Sequence, residues 1–152
     1  MTTPLIAVAL PVRNGANYLA EALDSILAQN FSDFELHVSD NASDDETPQI
    51  LAAYAARDPR VRVSRSEELI PQAANVNRAV RLTSSRWVKL FCHDDVMEPN
   101  CLARLVHAIG TVEGSQVALI GNGERYLYDN GYLTAATPGP LVRRSGSRYR
   151  RD

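Results

Sequence analysis

The chain begins with a continuous apolar run, Leu5–Pro11 (LIAVALP), which suits a strand buried on both faces. The pattern then changes period. In NGANYLAEALDSILAQ, Leu19, Leu23, Ile26 and Leu27 recur at helical spacing, and Phe34–Ser39 returns to a short strand. Asp44–Arg57 reads as a helix that Asp44 or Asp45 can cap, with Ile50, Leu51 and Tyr54 inward. Val61–Arg65 is a third strand. Val76, Ala79, Val80 and Thr83 mark a helix with Pro71 near its start, and Trp87–Phe91 is a fourth strand. Pro99 opens a helix with Leu102, Leu105, Val106 and Ile109 inward, and Gln116–Ile120 is a fifth strand. The Gly-, Tyr- and Asn-rich stretch Gly121–Leu133 suits a hairpin.

Strands alternating with helices predict βαβ units: an α/β protein with an open, mostly parallel sheet and helices on both faces. Right-handed crossovers place the C-terminal ends of the parallel strands on one edge, where such sheets bind ligands. Three polar clusters then share that rim: Val12-Arg13-Asn14, Asp40-Asn41 and His93-Asp94-Asp95.

Composition narrows the class. At 152 residues, with 45% hydrophobic and 22% charged residues, the chain suits one globular domain. The net charge of −2 is uneven, because Leu141–Asp152 carries +4 and the rest −6. An acidic body argues against nucleic acid as the main partner. The basic end reads either as a solvated tail or as a segment that touches anionic lipid or substrate phosphates. Cys92 and Cys101 form neither a disulfide framework nor a zinc pattern, which points to a reducing compartment. With no secretory leader pattern and no apolar stretch near the ~20 residues that span a bilayer, a cytoplasmic protein is expected, in peripheral contact with a membrane at most.

Each cluster alone has two readings. Asp94-Asp95 can hold a hard divalent cation together with substrate phosphates, or form an acidic turn before the Pro99 helix. Asp40-Asn41 can hydrogen-bond a nucleobase or ribose, or form Asx bonds leading into a helix. Arg13 can meet a phosphate or stack on a base, or simply be solvated. His93 and His107 read as loop and surface residues, and Cys92 as a small hydrophobe. The chain contains no glycine fingerprint of a dinucleotide dehydrogenase, no P-loop and no nucleophile elbow.

Taken together, PVRNGANYLAEALDSILAQNFSDFELHVSDNASDDET followed by WVKLFCHDDVMEP resembles the family-two glycosyltransferases, whose N-terminal half has the GT-A fold. The resemblance covers about residues 5–110. It implies transfer of a sugar from a nucleotide-diphosphate donor to an acceptor hydroxyl, usually with inversion, assisted by Mn²⁺ or Mg²⁺. By resemblance, Pro11, Val12 and Arg13 line a nucleobase pocket, and Asp40 with Asn41 contacts base and ribose. Asp94 lies near ribose and diphosphate, Asp95 is the metal ligand, and Asn77 matches a family asparagine in the helix before the fourth strand. The implied partners are the donor and an acceptor glycan or lipid-linked sugar.

The chain also departs from the family pattern. Arg13 replaces an aromatic, Asn41-Ala42 replaces Asp-Gly, and Cys92 replaces the first carboxylate of the acidic motif. Family members carry the acceptor base after residue ~130, where Glu124 and Asp129 match no motif. The expected organisation is therefore a donor-binding GT-A domain over 1–137, apparently without its acceptor-binding half, and a basic tail over 138–152. A non-catalytic nucleotide-sugar-binding module is the alternative. A nucleotidylyltransferase ranks last, for want of a glycine-rich basic loop after the first strand.

Overall fold

The computed structural model describes residues 3–112, 117–120 and 142–144. Two compact units divide the chain, Met1–Leu102 and Ala103–Asp152. In the first, β1 (Ile6–Val12), β2 (Phe34–Asp40), β3 (Val61–Arg65) and β4 (Trp87–Leu90) form a four-stranded sheet in the order β3-β2-β1-β4. Every pairing in it is parallel. The helices α1 (Leu19–Leu27), α2 (Thr47–Arg57) and α3 (Gln72–Arg81) form the crossovers, and α4 (Cys101–Thr111) follows β4.

β1 and β2 are central, and their apolar runs are buried on both sides: Ala7, Val8, Ala9, Leu10, Leu36 and Val38 are fully enclosed. The steps from β1 to β2 and from β2 to β3 move one way across the sheet, and the step from β3 to β4 moves back. Right-handed crossovers therefore put α1 and α2 on one face and α3 on the other. In agreement, α1 touches α2, while α3 lies against β1 and β2. Leu19, Ala22, Leu23 and Ile26 form the buried stripe of α1, as their spacing predicts.

α3 differs from the sequence expectation. Its buried positions are Asn75 and Ala79, while Val80 is exposed. The reason is a polar layer beneath it. Ser39 Oγ donates to Asn75 Oδ1 (2.7 Å), and Asn75 Nδ2 donates to Ser39 O (3.0 Å). Arg78 Nη1 donates to Ser39 Oγ (2.6 Å) and to Ser64 O (3.1 Å). Hydrogen-bonded polar groups take the inward face that apolar periodicity assigns to valines.

In the second unit, β5 (Val117–Ile120) pairs antiparallel with β6 (Val142–Arg144). Arg143 and Arg144, in the segment read as a tail, thus lie in a strand of three residues, too short to leave a period in the sequence. The hairpin expected over Gly121–Leu133, with Glu124 and Asp129, lies outside the described residues.

At the opposite edge of the sheet from the rim, Glu35 on β2 is buried and gathers donors. Ser84 N (2.8 Å), Ser85 N (2.9 Å) and Ser85 Oγ (2.8 Å) all reach Oε1, and His37 Nε2 lies 3.1 Å from Oε2. Burial by itself would raise the Glu35 pKa. The hydrogen bonds from Ser84, His37 and Ser85 outweigh it and draw the value from 4.5 down to about 2. A carboxylate whose pKa falls on folding adds stability that is complete above its unfolded pKa and is lost as pH drops through its folded pKa. At ~1.4 kcal/mol per unit, that linkage is worth about 3 kcal/mol. Glu35→Gln is expected to lower the unfolding free energy at pH 7 by about 2–3 kcal/mol. It should also flatten the fall in stability between pH 4.5 and about 2, measured by urea titration across that range.

Candidate functional site

The sheet reverses direction at β1, so its switch point lies between β1 and β4, beyond their C-terminal ends. Register sets what stands there. Val12 pairs with Asp40 across β1–β2, and Ala9 pairs with Leu90 across β1–β4. Carrying the second register forward brings residue 93 level with Val12. The loops do meet at that height: a Cβ built on Gly15 would lie 2.5 Å from His93 Cδ2 and 2.7 Å from Val12 Cγ2. Any larger residue at position 15 would have to displace the side chains of His93 and Val12.

The loops after β1 and β2 are joined bond by bond. Asn41 N donates to Val12 O (2.9 Å), and Arg13 Nη1 donates to the carbonyls of Asn41 (3.0 Å) and Ala42 (3.2 Å). Asn14 N donates to Ser43 Oγ (2.9 Å), and its side-chain amide exchanges bonds with Asp44 (2.7 and 3.0 Å). Gly15 N donates to Thr47 Oγ1 (2.9 Å), and Ala16 N donates to Asp45 Oδ2 (3.1 Å). Asp45 also accepts from Thr47 N at the start of α2. Burial opposes ionisation of Asp45, but the bonds from Thr47 and Ala16 hold its pKa below the usual carboxylate value. Asp44, one of the two expected caps, instead ties down the loop after β1, and α2 starts at Thr47. Asn14 (φ 49°) and Ala42 (φ 52°) both take left-handed backbone at this seam.

Asp40 and Asn41, expected to face base and ribose, are turned into the protein. Asp40 is 1% exposed. Its Oδ1 accepts from Ser43 N (3.1 Å) and Ser43 Oγ (2.5 Å), and its Oδ2 accepts from Arg65 Nη1 (3.0 Å). Asn41 exchanges two bonds with the backbone of Ile70, donating to its carbonyl (2.8 Å) and accepting from its amide (2.9 Å). Arg65 also donates to Ser43 O (2.7 Å), while nearly half of its side chain stays in solvent.

Of the other expected residues, Pro11 is half-buried, Val12 buried and Arg13 exposed at the rim, and Asp94 and Asp95 are exposed in the loop after β4. Asn77 is exposed on α3, and no described bond brings it to the rim; Asn75, two residues earlier, is the buried asparagine. Arg65, Ser43, Thr47 and Gly15 were not singled out from the sequence. The signal for Arg65 lies in the β2–β3 register, which sets it opposite Asp40 once the strands are paired.

Cys92 accepts from Asp95 N at its backbone carbonyl (3.4 Å). Desolvation and then the charges of Asp95 and Asp94 push its thiol pKa up, so it stands beside the acidic pair as a neutral thiol. Among the described residues, no cluster of three or more His, Cys, Asp or Glu side chains could hold a metal by itself. Adjacent exposed carboxylates fit a hard cation that completes its shell with water and substrate phosphates, as Mg²⁺ commonly does. Asp95, with Asp94 beside it, would hold such an ion.

Known proteins share this architecture. The chain is 33% identical to the chondroitin synthase of Escherichia coli over 100 residues, which are 65% of this chain and 14% of that protein. The structure superposes on S. aureus TarS in complex with UDP-GlcNAc with a TM-score of 0.68 and 28% identity, covering 77% of this chain and 34% of that one. It also superposes on the mannosyltransferase PcManGT of Pyrobaculum calidifontis in complex with GDP-Man and Mn²⁺, with a TM-score of 0.64 and 26% identity, covering 72% of this chain and 33% of that one. The chain thus spans between 14% and 34% of the length of these proteins. TarS and PcManGT are GT-A enzymes, and the parallel sheet of this chain has the same fold. The family model described as glycosyl transferase family 2 matches residues 7–134, and the chain belongs to that family.

Proposed function

We propose that this chain supplies the donor site of a glycosyltransferase that moves a sugar from a nucleotide-diphosphate sugar to an acceptor hydroxyl with inversion. The observation that carries the reading is the closure of the loop after β4 over Gly15, at the switch point where the rim of Arg13 begins. Support also comes from the structural neighbours, whose bound ligands are UDP-GlcNAc in TarS and GDP-Man with Mn²⁺ in PcManGT.

In this reading Pro11, Val12 and Arg13 flank the nucleobase, and the guanidinium plane of Arg13 takes the stacking role. Asp40 and Asn41 serve base and ribose by fixing the floor: Asp40 holds Arg65 and Ser43, and Asn41 holds Ile70. Asp94 lies toward ribose and diphosphate, and Asp95 is the metal ligand; Asn77 is at most peripheral. Asp95, with Asp94 beside it, would hold a Mn²⁺ or Mg²⁺ ion, which when bound would supply positive charge against the diphosphate leaving group. The bond from the anomeric carbon to the phosphate oxygen breaks, the acceptor oxygen bonds that carbon from the opposite face, and its proton passes to a base outside the residues assigned here. The donor-binding domain is 1–137, with 138–152 as a basic segment suited to phosphate or anionic lipid. The acceptor is a glycan or lipid-linked sugar, met in the cytoplasm or at the inner face of the membrane. Among the described residues, no helix is long and apolar enough to cross a membrane.

Calorimetry with UDP-GlcNAc and GDP-mannose, with and without Mn²⁺, tests the site. One donor is expected to bind in a metal-dependent way, and Asp95→Ala is expected to weaken it at least about tenfold, ~1.4 kcal/mol, with an unchanged melting temperature. Unchanged affinity in that variant removes Asp95 from the metal site. Gly15→Ala drives a methyl group into His93 and Val12. It should cost about 1–3 kcal/mol of stability in denaturant titrations and weaken donor binding in the same calorimetric assay.

A further inference from the structure

The chain between β4 and α4 carries the acidic pair, yet residues 91–100 adopt neither helix nor strand. Its position has to come from elsewhere, and the described bonds lead to the end of α1. Ser25 Oγ accepts from Met97 N (2.9 Å). Gln29 Nε2 donates to Glu98 O (2.8 Å) and to Ser25 O (3.1 Å), with Met97 O at 3.5 Å. Gln29 Oε1 accepts from Leu102 N (3.0 Å), and Asn30 N donates to Pro99 O (2.9 Å). Gln29 is buried at 7% exposure, so both ends of its amide are used up in protein bonds.

We infer that Gln29, with Ser25, is a positioning residue that sets where the Asp94-Asp95 carboxylates stand. Met97 follows Asp95 by two residues, and two residues of chain reach at most about 7 Å. On the other side His93, two residues before Asp95, rests over Gly15. Asp95 is therefore bracketed by an anchor on each side. The anchor on the Met97 side is the α1 amide clamp, which also gives Leu102, near the start of α4, its acceptor.

The inference rests on the donor-site reading, so its test has a readout that needs no ligand. Hydrogen exchange over residues 92–97 and Mn²⁺-dependent donor affinity are measured for the wild type, Gln29→Leu and Ser25→Ala. Glu35→Gln is the control: it weakens the fold at the other edge of the sheet and lies outside the donor site. Gln29→Leu keeps side-chain bulk and loses the bonds; it is expected to speed exchange over 92–97 and to lower metal-dependent affinity about tenfold, leaving metal-free affinity unchanged. Ser25→Ala, which removes a single clamp bond, should show the same changes about threefold and covers the case in which Gln29→Leu does not fold. The control should leave both readouts at wild-type values. Wild-type exchange over 92–97 in a folded clamp variant, or equal losses in the control, overturns the inference. Absence of metal-dependent binding in the wild type sinks the donor-site reading instead, and exchange still decides the clamp.

Discussion

The rim of this protein depends on one buried carboxylate. Asp40 closes β2 with both of its oxygens engaged, one by Ser43 and the other by Arg65. An ionised group at that depth is tolerable only if it is paired and hydrogen-bonded, so the chain around it has little freedom. Ser43, fixed by Asp40, accepts from Asn14; Arg65, fixed by Asp40, ties β3 to the loop after β2. The loop after β1 thus takes its shape from a charge on the neighbouring strand.

From that frame the polar duties separate along the sheet. Glu35, at the edge away from the rim, holds the turn between α3 and β4 and brings no ligand-facing group with it. The rim edge combines inward anchors, Asp40 and Asn41, with outward groups, Arg13, Asp94 and Asp95. Gln29 extends the same logic to the far side, using the end of a helix to hold a loop that has no regular structure of its own.

Much of this was legible in the sequence. The first strand announced itself as an apolar run, the other three as short strands between helices, and that alternation gave the rim its three clusters. The inner face of α3 was not legible: buried Asn75 and half-buried Arg78 bond Ser39 and Ser64, and apolar periodicity cannot show a polar face that is satisfied. Nor was the orientation of Asp40, whose partner Arg65 is distant in sequence and near only through strand register. The three residues of β6 fell below any period.

Ala42 stands where the family has glycine, with φ at 52°. For an alanine that backbone costs about 1–2 kcal/mol, so local preference opposes the shape the loop adopts. What holds it is a ring of neighbours: Arg13 on its carbonyl, Ser43 beside it on Asp40, Asn41 on Ile70. Such a loop behaves as a spring held shut by its fastenings. Loosen any one of them and the stored tension works toward opening, which makes this edge of the rim sensitive to changes at residues buried beneath it.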